Sequence, residues 1–117
     1  MKFADLVGCT ITRIERSPED DVLIFSLEDG RVCEMLHHQD CCEYVYIESI
    51  VGDLADLIGV PILKAEEATQ DVEVQEGDKM WTFYKLATRK GYVDIRWNGS
   101  SNGYYSIHVY FGEVKNG

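Results

Sequence analysis

The stretch that decides the fold is "KMWTFYKLATRKGYVDIRWN", residues 79–98. Two runs of alternating aromatic, β-branched and polar residues, 79–88 and 92–98, flank a polar tip at Arg89-Lys90-Gly91. Alternation with a period of two sends successive side chains to opposite faces of a strand. A three-residue tip ending in glycine suits a hairpin with Gly91 left-handed. That register sets Phe83 opposite Trp97, Lys85 opposite Ile95 and Ala87 opposite Val93. Val93, Ile95 and Trp97 then share an apolar face with Phe83. "YYSIHVYF" (104–111) reads as the following strand, with Tyr105, Ile107, Val109 and Phe111 as its apolar face. The other face collects Tyr84, Asp94, Arg96, Tyr104, Ser106, His108 and Tyr110.

Upstream, "VLIFSLE" (22–28) and "RVCEMLHH" (31–38) flank Asp29-Gly30, a strong hairpin dipeptide. A two-residue loop there sets Leu27 opposite Val32, Phe25 opposite Glu34 and Ile24 opposite Met35. Both faces are then apolar. Such a hairpin is central, covered on one side by a helix and on the other by a second layer or a second subunit. "TITRIER" (10–16) is a further strand, and "SPEDD" (17–21) a turn. In "EYVYIESIVGDLADLIG" (43–59) an extended piece gives way to helical spacing, predicting a short helix over 51–58. Gly59 closes it and Pro61 stops it. "PILKAEEA" is another extended segment, and "EEATQDVEVQEGD" (66–78) reads as an acidic, solvated loop or a docking surface for a basic partner. The expected class is α+β, an antiparallel β-meander of about six strands with one short helix, in a single domain over 1–117.

Composition narrows the function. The chain of 117 residues carries 21 acidic and 11 basic side chains, a net charge of −10. That charge repels a phosphate backbone, so general nucleic-acid binding is disfavoured. No apolar run approaches the roughly 18 residues of a membrane span. "MKFADLVGCTITRIERSPED" lacks the long apolar core of a signal peptide, which implies a cytoplasmic protein with Cys9, Cys33, Cys41 and Cys42 reduced. With seven tyrosines and two tryptophans, a homo-oligomer is expected.

Two stretches could carry chemistry. In "LHHQDCCE" (36–43), His37, His38, Asp40 and Cys41 stand within five positions. Zinc is served by paired ligand spacings, and adjacent cysteines with no second pair fit it poorly. A histidine-activated cysteine is chemically open. So is a structural corner, with one cysteine packed in the core and Asp40 capping the turn, or a binding rim without catalysis. In "RWNGSSNGYYS" (96–106), two Asn-Gly pairs bracket Ser100-Ser101. The stretch reads as a hairpin loop able to approach a polar ligand closely. Asn98 and Asn102 offer polar contacts. Tyr84, Tyr104 and Phe83 can stack a flat ring, and Arg96 and Arg89 can meet an anion.

Taken together, "LHHQDCCEYVYIESIVGDLADLIGVPILKAEE", "WTFYKLATRKGYVDIRW" and "SNGYYS" resemble a family of small phage- and prophage-encoded proteins. The resemblance implies an accessory protein of the host-cell cytoplasm and brings no catalytic residues. It is also similar in size and aromatic content to phage anti-defence "sponges", which sequester nucleotide-derived immune signals. Three functions are therefore carried forward. The first is a non-enzymatic protein, without a cofactor, that binds a small nucleotide-like ligand. The second is an acidic interaction module that inhibits a basic host protein. The third is a metal- or cysteine-dependent enzyme.

Overall fold

The computed structural model describes residues 1–19 and 21–114. Asp20, in the turn expected at 17–21, lies outside the described residues, as do the last three residues of the expected domain. Among the described residues the chain forms eight strands: β1 (Ile11–Arg16), β2 (Val22–Leu27), β3 (Val32–Leu36), β4 (Tyr44–Val51), β5 (Lys64–Val72), β6 (Asp78–Thr88), β7 (Gly91–Ser101) and β8 (Tyr110–Glu113). They make two antiparallel four-stranded sheets, ordered β1-β2-β3-β8 and β4-β7-β6-β5.

The α+β expectation is thus corrected to a mostly-β protein. The helix expected at 51–58 is a single 3-10 turn, Leu54–Leu57, and Phe3–Leu6 forms another. Of the expected helix only Val51 belongs to β4, which ends there. Asp53 then caps the turn by accepting from the Ala55 N–H. Gly59, at φ +86°, ends it, so too few residues remain for an α-helix.

Both hairpin registers differ from the sequence reading by one residue. At Asp29-Gly30 the loop has three residues, because Leu27 and Arg31 close the ladder and Gly30 takes φ +93°. The Asp29 carboxylate accepts from the Arg31 backbone N–H and Nε, which locks that shape. Phe25 consequently faces Cys33 and Leu23 faces Met35. A single face of this hairpin is buried, rather than both. At the 89–91 tip the loop has two residues, with Thr88 paired to Gly91. The Thr88 hydroxyl accepts from the Lys90 N–H and donates to the Asp56 carbonyl, and Lys90 Nζ donates to the Ile58 carbonyl. These contacts tie the tip to the second 3-10 turn. Gly91 does not take positive φ. A Cβ there would sit 2.9 Å from the Asp56 carboxylate, so glycine serves close approach.

Residues 104–111 do not continue the meander. Tyr104–Val109 lie outside any strand, and Tyr110–Glu113 pairs with β3 in the opposite sheet. Asn102 accepts from the Tyr104 N–H and Gly103 takes φ +99°, which turns the chain away from β7. The acidic stretch 66–78 is likewise no loop for its first half: Glu66–Val72 lie in β5, an edge strand whose side chains are mostly exposed.

The two sheets close over one core. Leu23, Phe25, Leu27, Cys33 and Met35 meet Val45, Ile47, Tyr84, Leu86, Val93, Ile95 and Trp97, with Phe3, Leu6, Leu57 and Ile62 sealing the ends. Trp97 is fully buried, and its indole N–H donates to Met35 Sδ at 3.3 Å across the two sheets. Truncating a buried tryptophan removes both transfer energy and packing. Trp97→Ala should lower the unfolding free energy by about 3–5 kcal/mol in urea titration.

Candidate functional site

The register of β6 and β7 decides what the second sheet shows to solvent. With Phe83 opposite Arg96, the inward set of β6 is Met80, Thr82, Tyr84, Leu86 and Thr88. The outward set is Lys79, Trp81, Phe83, Lys85 and Ala87. Tyr84 therefore belongs to the core, not to a ligand face, and its ring lies edge-on to Phe3 at 4.7 Å. Phe83, grouped by sequence with the buried tryptophan, faces outward instead.

On that outer face Arg96 is the central cation. Its guanidinium lies 5.6 Å from the ring centres of both Trp81 and Phe83, and Lys79 Nζ lies 5.7 Å from Trp81. Cross-strand pairing carries the row onward from Trp81 to Asn98 and from Asn98 to Tyr46. The Tyr46 ring stacks at 4.6 Å on Tyr44, which is well exposed. Glu48 balances Arg96 in part, with Oε2 3.8 Å from Nη1. The result is a row of four aromatic rings on one face, with a half-exposed guanidinium beside two of them, Trp81 and Phe83. Aromatic faces attract cations and flat π-systems, and a guanidinium recognises anionic oxygens in its plane.

The other expected ligand residues fall elsewhere. Asn98 is buried between Trp81 and Tyr46 in strand register, so 96–101 is strand and not loop. Arg89 sits at the exposed hairpin tip, at the far end of β6. Asn102 and Tyr104 lie in the exposed turn after β7, with Tyr104 89% exposed. Phe83, Arg96 and Asn98 are brought together; Tyr84, Arg89, Asn102 and Tyr104 are not part of that group. Sequence reading missed Trp81, Lys79, Tyr44 and Tyr46. The signal for Lys79 and Trp81 was the alternation 79-81-83, hidden by the one-residue register difference; that for Tyr44 and Tyr46 was their alternation with Val45 and Ile47 in β4.

"LHHQDCCE" forms a corner between β3 and β4. His37 is nearly buried, and Nδ1 lies 2.7 Å from the His108 carbonyl oxygen. His37, His38 and His108 line one cavity of about 290 Å³ with Ser106, Val109 and Tyr110. The His38 and Tyr110 rings lie 5.0 Å apart. The corner and the segment after "SNGYYS" therefore meet. The capping carboxylate is Glu43, not Asp40: Glu43 Oε1 accepts from the Asp40 and Cys41 N–H groups and from Gln39 Nε2. Cys41 and Cys42, expected reduced, are joined as a vicinal disulfide, and both are exposed rather than packed in the core. Among the described residues no three His, Cys, Asp or Glu side chains are arranged to hold a metal ion. Cys33 is buried; burial first, then the charge of Glu113, pushes its thiol up and away from nucleophilic use.

With this geometry in hand, a family model describing a domain of unknown function, DUF7448, matches residues 4–111. The chain belongs to the DUF7448 family. No curated protein and no solved structure matches it. Among the described residues no helix is long and apolar enough to cross a membrane.

The placing of Tyr84 has a measurable consequence. Burial, followed by the charge and hydrogen bond of Glu67, pushes its hydroxyl well above the ordinary tyrosine range. The neutral form then stabilises the fold below about pH 10, and that stabilisation is lost as pH rises through the raised folded value. In a spectrophotometric alkaline titration, one tyrosine should ionise only with unfolding. Tyr84→Phe should remove that step.

Proposed function

We propose that this DUF7448 protein is a non-enzymatic binding protein whose ligand lies on the outer face of β4, β7 and β6. The ligand is flat, aromatic and anionic, as a nucleotide-derived molecule is. The single observation that carries this reading is Arg96 lying against both Trp81 and Phe83 on an exposed sheet face. A base stacking on Trp81 or Phe83 would leave its phosphate within reach of Arg96, with Lys79 adding charge. On a chain of net charge −10, this is a local cationic spot among aromatics, suited to a small anion better than to a long polyanion. The resemblance of the sequence to phage-encoded proteins supports one class of ligand. It is a host immune signal, held away from its receptor in the host cytoplasm by an anti-defence accessory protein.

A second reading has its own observation. Glu66, Glu67 and Asp71 are exposed along β5, a free sheet edge, where a basic host protein could dock. Salt would release such a partner, whereas stacking would survive it.

Base–aromatic stacking contributes about 1–3 kcal/mol per base, and a cation over a ring about 0.5–2 kcal/mol. The test is calorimetry and tryptophan quenching with cyclic nucleotides and ADP-ribose derivatives. A binding compound should quench Trp81, and Trp81→Ala or Arg96→Ala should weaken it roughly tenfold or more. No binding across the panel, or binding unchanged in both variants, would refute the proposal.

A further inference from the structure

One buried pair is left with unmet hydrogen-bonding capacity. His37 Nε2 and Glu43 Oε2 face each other at 3.6 Å, their side chains 5% and 0% exposed, and neither atom has a hydrogen-bond partner. The tautomer follows from the other contacts. The His108 carbonyl can only accept, so His37 Nδ1 carries a proton. Glu43 Oε1 already accepts three donors, and donors of that kind favour the carboxylate. Burial works against the charge on Glu43, but the backbone N–H groups of Asp40, Glu43 and Cys41, with His37 adding, hold its carboxyl below the usual range. An anionic oxygen therefore points at the second imidazole nitrogen. If that nitrogen is bare, two lone pairs oppose each other in a buried site. If it is protonated, a small approach completes an N–H to Oε2 hydrogen bond and pairs a buried charge.

The position of this pair gives it leverage. The chain passes between the two sheets twice among the described residues, at 37–43 from β3 to β4 and at 102–109 from β7 to β8. His37 is held in both passages: it begins the first and hydrogen-bonds the second through His108. Glu43 immediately precedes Tyr44, the first residue of β4.

We infer that His37 and Glu43 form a proton-operated latch that closes the two crossovers together when His37 is doubly protonated and releases them when Nε2 loses its proton. The titratable groups facing His37 are Glu43 from the corner, His38 and Tyr110 across the shared cavity, and the His108 ring on the second crossover. On the other side of the second crossover, Asp71, Asp78 and Lys79 line a cavity with Tyr105–His108. Of these, Glu43 alone presents an unpartnered buried oxygen to His37. The latch does not depend on what the aromatic face binds.

The two groups give opposite signs. A carboxylate held below its usual range stabilises the fold above that range, and the effect is lost as pH falls through the folded value. A histidine that gains an anionic partner on folding stabilises on the acid side, and the effect is lost as pH rises. Histidine side chains in general change charge over roughly pH 5 to 8, and the pair is to be followed across that window.

Two measurements test this. In wild-type protein at the acid end of that window, nitrogen NMR should show both ring nitrogens of His37 protonated, with slow exchange at 37–43 and 102–109. Raising the pH should remove the Nε2 proton and speed exchange in both crossovers together, beyond the intrinsic rate change seen elsewhere. In Glu43→Gln the new amide can donate to a bare Nε2, so the crossovers should stay protected as pH rises and the step should vanish. A His37 ring singly protonated throughout the window would overturn the latch. So would the same pH profile in wild type and Glu43→Gln, or crossovers that open independently. If Glu43→Gln does not fold, the wild-type nitrogen spectrum decides alone.

Discussion

The pairing of Thr88 with Gly91 is the constraint on which the rest of the second sheet depends. Side chains alternate along a strand, so a slip of one residue would exchange every inward group for an outward one. With the two-residue tip, Tyr84 and Trp97 go inward and Trp81, Phe83 and Arg96 go outward. The core and the candidate binding face are thus two consequences of one turn. That turn is held from outside the hairpin, by the Thr88 hydroxyl and the Lys90 ammonium reaching the carbonyls of Asp56 and Ile58.

The second organising feature is how the chain changes sheets. The second crossover buries Ile107 in the core, and close backbone approach at two glycines shapes its path. Gly99 leaves room for Ile107, since a Cβ there would lie 3.0 Å from the Ile107 side chain and carbonyl. Gly77 sits against the Ser101 carbonyl at φ +79°, where a side chain would be strained and would clash. These contacts bring the second crossover over the end of β7 and set its His108 carbonyl against His37. The unusual cluster of histidines and cysteines is then a corner whose chemistry is protonic: its buried carboxylate is supplied by Glu43, and its sulfurs lie on the outside.

Much of this was legible in the sequence, and the failures share a cause. The runs at 10–16, 22–28, 31–38, 79–88 and 92–98, read from alternation and composition alone, coincide within a few residues with β1, β2, β3, β6 and β7. Loop length did not, because it is set by side chains that dipeptide rules ignore. Asp29 binding Arg31 made a three-residue loop where Asp-Gly suggests two. Thr88 and Lys90 made a two-residue loop where Arg-Lys-Gly suggests three. The helix at 51–58 failed because β-branched residues let β4 run to Val51 before Asp53 could cap anything longer than one turn. The last strand failed because "YYSIHVYF" alternates well, but Asn102-Gly103 turns the chain before it can pair with β7. Of the candidate site, Phe83, Arg96 and Asn98 were chosen for their chemistry and do come together. Trp81, Tyr44 and Tyr46 were missed because recognising them requires the register. Glu43 was missed because nothing local distinguishes the acid that buries from Asp40, which stays exposed.

The central claim is that the β6–β7 register shows Trp81 to solvent while it buries Trp97. Acrylamide quenching of the two single-tryptophan variants tests it most directly. Trp81 emission, seen in Trp97→Phe, is expected at longer wavelength and strongly quenched. Trp97 emission, seen in Trp81→Phe, is expected at shorter wavelength and shielded until the protein unfolds. Equal quenching of the two in folded protein, or a shielded Trp81 with an accessible Trp97, would contradict the register and, with it, the binding face built on it.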